Sequence, residues 1–207
     1  MNNENSVIRS AISKIWNEYI KRDYENGKIA NESDLDFRLG AYLVKILEKK
    51  GYEIFSEPHL ITLNKYPDYV ICKNCEIMAF VELKLKRTTP HGKNEYPIFE
   101  EDFYKFIEYF KVKNNFSEKL LLNPETGKLS KEYRINDNVE FYFCVIARED
   151  AAAVDCESIK EILENDPEWT KNDHHLTKEV LKRTTVFYGK IKRPEFGYCT
   201  FNSKSYD

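Results

Sequence analysis

The chain has 207 residues, 42% hydrophobic and 32% charged, which suits one soluble globular domain with a sizeable core and excludes a disordered protein. Lys+Arg 32 against Asp+Glu 35 leaves a net charge of −3, which excludes a protein that coats nucleic acid non-specifically but not a local basic groove. No apolar run approaches the roughly 18 residues of a membrane span, no secretory leader is visible, and five cysteines form no framework pattern, so a cytoplasmic protein without a membrane partner is expected.

Ser6 to Tyr24 carries Val7, Ile8, Ala11, Ile12, Ile15, Trp16, Tyr19 and Ile20 at helical spacing, and Asn26-Gly27 stops that helix. A second helix starts near Asn31-Glu32-Ser33-Asp34, with Asn31 or Ser33 as its cap. It buries Leu35, Leu39, Tyr42, Leu43, Ile46 and Leu47 before Lys49-Lys50-Gly51 closes it. From Tyr52 the period shortens. A strand at Tyr52–Glu57 and a short extended piece at Leu60–Leu63 precede a hairpin that pairs Asp68–Cys72 with Cys75–Lys86 around Lys73-Asn74.

Helical spacing returns near Phe99–Val112 through Phe103, Phe106, Ile107 and Phe110. Strands are predicted at Val139–Ala147 and Thr185–Ile191, and a short helix at Ser158–Leu163. The polar stretch 114–138, with a turn at Asn123-Pro124-Glu125-Thr126-Gly127, is too long for a plain connection and reads as an inserted hairpin or flap. The expected organisation is an N-terminal helical segment (1–30) packed on a core (31–150) that carries this insertion. A C-terminal α/β extension (151–207) belongs to the same domain.

The chemistry concentrates in Pro67-Asp68 and in Glu82-Leu83-Lys84, the latter inside the apolar run Ile77-Met78-Ala79-Phe80-Val81. Side chains alternate along a strand, so Glu82 and Lys84 share one face, expected to carry Met78 and Phe80 as well. A carboxylate and an amine in such a strand are costly unless they act together. Two acidic groups and a lysine at one sheet edge are what a magnesium-dependent phosphodiesterase needs.

A helix followed by a β-meander, with Asp68 after Pro67 on one strand and Glu82-x-Lys84 on the next, resembles the PD-(D/E)xK nuclease superfamily, from about Glu32 to Ala147. The resemblance implies an α/β fold with a restriction endonuclease-like core, a central mixed sheet flanked by helices in the order αβββαβ. It implies Mg²⁺, with Mn²⁺ as a substitute, held by Asp68, Glu82 and the Leu83 carbonyl. Glu32 stands where the family often has a further acid, and Lys84 would orient water or stabilise charge on phosphate. The implied activity is a DNA endonuclease leaving a 5′-phosphate and a 3′-hydroxyl, with a homodimer the simplest way to cut both strands. RNA cleavage by the same site, and an inert nuclease-like fold used as a binding or regulatory module, are the alternatives.

Each residue also has a plain structural reading. Asp68 can start a strand after Pro67, Glu82 and Lys84 can pair on a half-solvated sheet, and Glu32 can be a helix-N-terminal acid. The next helix carries Glu101-Asp102-Phe103-Tyr104-Lys105 and lacks the Gln-then-Tyr pair of the superfamily's exonuclease-like branch. Lys86, Arg87 and Lys93, close behind Lys84, are candidate phosphate contacts. Cys72-Lys73-Asn74-Cys75 has zinc half-site spacing, but no second pair accompanies it.

Overall fold

An eight-stranded mixed sheet separates two apolar cores, each roofed by helices. The computed structural model describes residues 3–61, 63–86, 98–112, 117–123, 128–147, 174–190 and 195–201. In chain order the elements are α1 (Asn3–Lys14), a π-helical turn (Ile15–Ile20), α2 (Lys21–Glu25), α3 (Glu32–Leu47), β1 (Glu53–Ser56), β2 (His59–Leu60), β3 (Tyr69–Lys73), β4 (Glu76–Lys86), α4 (Ile98–Val112), β5 (Ser117–Asn123), β6 (Lys128–Ala147), α5 (His174–Arg183), β7 (Thr184–Lys190) and β8 (Glu195–Thr200). The strand order is β1-β3-β4-β6-β5-β2, with β7 also paired to β6 and β8 to β7. The expected α/β architecture with a mixed, helix-flanked sheet is what the chain adopts.

The N-terminal helical run buries Ile8, Ile12, Ile15, Trp16 and Ile20 completely, as their spacing requires. Trp16 packs against Phe187 and Phe196, and its indole Nε1 donates to the Tyr188 carbonyl at 2.9 Å. Asn31 caps α3 by accepting from the Asp34 amide at 2.8 Å, which settles the choice between Asn31 and Ser33. Leu35, Leu39, Leu43 and Leu47 form the buried stripe of α3, and Gly51 closes the helix at φ 80°.

A buried carboxylate, Asp23, joins these two helical segments. Tyr42 donates to it at 2.6 Å and Arg38 at 3.0 Å. Burial pushes its acidity down, but the hydrogen bonds and positive charges around it outweigh that and hold its pKa below the usual carboxylate value.

The second half of β6 lies between parallel neighbours β4 and β7 and is buried on both faces from Phe141 to Ala147. Phe141, Phe143 and Val145 face α4 and α5, where Phe106, Tyr109, Val180 and Leu181 meet them. Tyr142, Cys144 and Ile146 face the N-terminal helices and α3.

Several expectations change in detail. The stretch at 114–138 yields β5 and the start of β6, an antiparallel pair inside the main sheet, so its hairpin reading is the one adopted. Helix α5 and strand β8 carried no recognised sequence signal. The hairpin turn sits one residue later than expected: Lys73 pairs with Glu76, and the turn is Asn74-Cys75. Met78 is not on the face of Glu82. A bulge between Ile77 and Ala79 puts Met78 and Ala79 on the α3 side, while Phe80 returns to the α4 side.

Among the described residues no helix is long and apolar enough to cross a membrane. Cys72, Cys75 and Cys144 are free thiols, while Cys199 is disulfide-bonded. The helix expected at Ser158–Leu163 lies outside the described residues.

Asn74 and Cys75 have φ of 53° and 62°, the signature of a type I′ turn. An L-residue with a Cβ pays about 1 kcal/mol at such a φ. Cys75→Gly is therefore expected to raise stability by about 1 kcal/mol in urea unfolding, with an unchanged m-value.

Candidate active site at the edge of strand β4

Strand β3 begins at Tyr69, opposite Val81, so beyond Val81 the β3-facing edge of β4 has no strand partner in that hairpin. Successive edge amides, at Leu83 and Leu85, point to that side. Each is met by a carboxylate. Leu83 N–H donates to Asp68 Oδ2 at 2.5 Å, and Leu85 N–H donates to Glu32 Oε2 at 2.9 Å. Two predicted site acids thus lie along one edge, with the Leu83 main chain at Asp68.

Extending the β3–β4 register by one step places Asp68 opposite Glu82 on the same face, with Cβ atoms of such a pair about 5 Å apart. Pro67 is buried and Asp68 half-buried. Glu82 has no exposed surface. Its Oε2 accepts from Lys105 Nζ at 2.9 Å and its Oε1 from the Tyr109 hydroxyl at 3.3 Å. Lys105 and Tyr109 are four residues apart on α4, so one helix face presents both to the carboxylate. Burial pushes the Tyr109 hydroxyl pKa far up, and the charges of Glu82 and Asp68 push it further, so the phenol stays a donor.

Lys84 follows Glu82 on the same face of β4, is half-buried, and lies opposite Val145 of β6. Asp68, Glu82, Leu83 and Lys84 lie together around one end of β4. Glu32 joins them through Leu85 at an exposed position. Lys86 is the last residue of β4, while Arg87 and Lys93 lie outside the described residues. Lys105 and Tyr109 were missed. The signal that could have found them is their i, i+4 spacing on a helix whose other inward residues, Phe106 and Phe110, are apolar.

The approach of α3 to this edge depends on a glycine. Tyr69, next to Asp68, is buried and donates to Asp36 Oδ1 at 2.5 Å, and its hydroxyl lies 2.6 Å from the Asp36 carbonyl oxygen. A Cβ at Gly40 would stand 2.6 Å from the Tyr69 hydroxyl oxygen. Gly40 lets α3 pack down on Tyr69, which sets the helix N-terminus and Glu32 over Leu85.

The donors present are oxygens, the set a hard divalent cation takes. Among the described residues no group of three or more His, Cys, Asp or Glu side chains is close enough to hold a metal ion. Two carboxylates and a main-chain carbonyl remain, which suits Mg²⁺, an ion that keeps several waters. The Cys72-x-x-Cys75 spacing builds no such group either. Cys72 is buried, and desolvation pushes its thiol pKa well up, against the thiolate a metal needs.

Two substitutions test this geometry. Gly40→Ala is expected to cost about 2 kcal/mol by overpacking against a hydroxyl that is hydrogen-bonded in place. Adding Tyr69→Phe should recover part of that loss in urea unfolding. Lys105→Met leaves the Glu82 carboxylate buried without its cation and is expected to cost about 3 kcal/mol. Combining it with Glu82→Gln should recover most of the loss, which a thermal-unfolding double-mutant cycle will show.

Comparison of the chain with protein-family models, with curated proteins and with solved structures gives no match, so the site stands on its own geometry.

Proposed function

We propose that the chain is a metal-dependent nuclease, acting as a DNA endonuclease, with its centre at the β3-side edge of β4. The observation that carries the reading is the opposition of Asp68 and Glu82 across adjacent strands, with the Leu83 main chain at Asp68 and Lys84 one step along the same face. The order α3-β1-β3-β4-α4-β6 supports a restriction endonuclease-like core of αβββαβ form, with β2 and β5 as additions.

Asp68, Glu82 and the Leu83 carbonyl would hold Mg²⁺ or Mn²⁺, with Glu32 at the outer side. When bound, the metal polarises a phosphoryl oxygen and lowers the pKa of a coordinated water. The chain's own groups do the rest. Lys84 stabilises charge on the phosphate. Lys105 and Tyr109 fix the Glu82 carboxylate in one orientation, so its geometry is set before substrate arrives. The half-buried position of Lys84 beside a fully buried Glu82 lowers the local dielectric and strengthens both effects.

A second reading, an inert nuclease-like fold serving as a binding module, has its own observation. Asp68, Glu82 and Glu32 each have a protein partner at Leu83, Lys105 and Leu85, which accounts for their placement without a metal. Divalent-metal dependence separates the two readings.

The test is cleavage of plasmid and single-stranded DNA with Mg²⁺ or Mn²⁺. Wild type should cut, Asp68→Asn should lose at least about 100-fold, and Lys84→Ala should lose about 100-fold, each with native unfolding behaviour. Full cleavage by Asp68→Asn sinks the proposed centre. Absence of both cleavage and Mn²⁺ binding by calorimetry would favour the inert module.

A further inference from the structure

We infer that the Tyr66–His59 pair is a stacking platform for an unpaired nucleobase beside the proposed centre; the inference rests on the nuclease reading for its substrate class. Tyr66 is a large aromatic residue left 52% exposed. Its ring lies on that of His59 with centroids 4.5 Å apart and planes within 8°. His59 is held in turn by a hydrogen bond between its Nε2 and Asn64 Oδ1 at 3.0 Å. One face of a stacked aromatic pair is thus presented to solvent on a base that does not need to form on binding.

The segment beneath the pair is tied at both ends. Leu60 and Lys65 exchange main-chain hydrogen bonds at 2.8 and 3.4 Å, which close the loop between the two rings. Asn64 turns that loop at φ 51°. Lys65 pairs with Glu108 at 2.9 Å, and Glu108 precedes Tyr109, the phenol on Glu82. On the other side, Asp68 is fixed to the Leu83 amide. Tyr66 is therefore bracketed between the α4 side and the β4 side of the proposed centre. Two residues of extended chain span at most about 7 Å, so the Tyr66 backbone lies within one nucleotide step of Asp68.

Stacking on an aromatic face is sequence-tolerant because every base has a π-face, and it is open only to bases free of a duplex stack. The platform therefore favours single strands, frayed ends or flaps over continuous duplex. The shared chemistry is the base, so an oligothymidylate and an oligouridylate are both suitable probes.

The experiment measures binding of the full chain to a short labelled oligothymidylate, and to an abasic strand of equal length, in EDTA. Wild type should prefer the base-bearing strand. Tyr66→Ala should weaken that binding roughly tenfold and leave the abasic strand unaffected, while Tyr66→Phe keeps the wild-type affinity. Equal binding of both strands by wild type, no binding of either, or wild-type affinity in Tyr66→Ala overturns the platform. Plasmid cleavage run in parallel keeps the two readings apart. Cleavage by wild type with no effect of Tyr66→Ala on binding removes the platform alone. Base-dependent binding through Tyr66 without any cleavage removes the nuclease reading alone.

Discussion

A carboxylate with no exposed surface sits on a central strand, and much of the fold around it answers to the cost of burying that charge. Glu82 would be unaffordable there without a cation and a second donor, since an uncompensated buried ion costs several kcal/mol. Helix α4 brings both, and its angle on the sheet is set by the same turns that bury Phe106 and Phe110 against Phe141. Apolar packing and ionic compensation are thus served by one helix face. Neither can be altered without moving the other.

The neighbouring constraint is the end of β3. Because the hairpin ladder stops at Tyr69, the amides of Leu83 and Leu85 need acceptors, and Asp68 and Glu32 supply them. The Asp68 and Glu32 carboxylates are gathered along a strand edge whose main-chain carbonyls face the same way. That geometry serves the sheet as it stands, and under the proposed function the same oxygens and Lys84 would meet a hard cation and a phosphate. The contact of Tyr69 with Asp36 and Gly40 holds α3 close enough for Glu32 to reach. Structural need and proposed chemistry therefore draw on the same residues.

The aromatic load divides between these roles. Most Phe and Tyr residues fill the two cores, as Phe80, Phe141, Phe143 and Phe187 do. Tyr66 is different: it is stacked, exposed and two residues from Asp68. Composition could not separate it from the others, because counting rings does not tell which of them keeps a face in water.

What the sequence alone determined is whatever depends on local period and local capping. The stripe of leucines on α3, a cap at Asn31 or Ser33, the Gly51 stop, the helical spacing of α4 and the alternation around Glu82 and Lys84 all follow from residues within a few positions of each other. So did the meeting of Asp68 with Glu82, because a hairpin makes sequence neighbours into spatial ones. Tertiary structure alone decided the rest. The bulge that sends Met78 to the opposite face arises where β4 changes its pairing along β6. The burial of both faces of β6 depends on helices from distant parts of the chain. The spacing of Lys105 and Tyr109 puts them on one helix face, but only the crossing of α4 over β4 decides that this face meets Glu82, 23 residues away in sequence from Lys105.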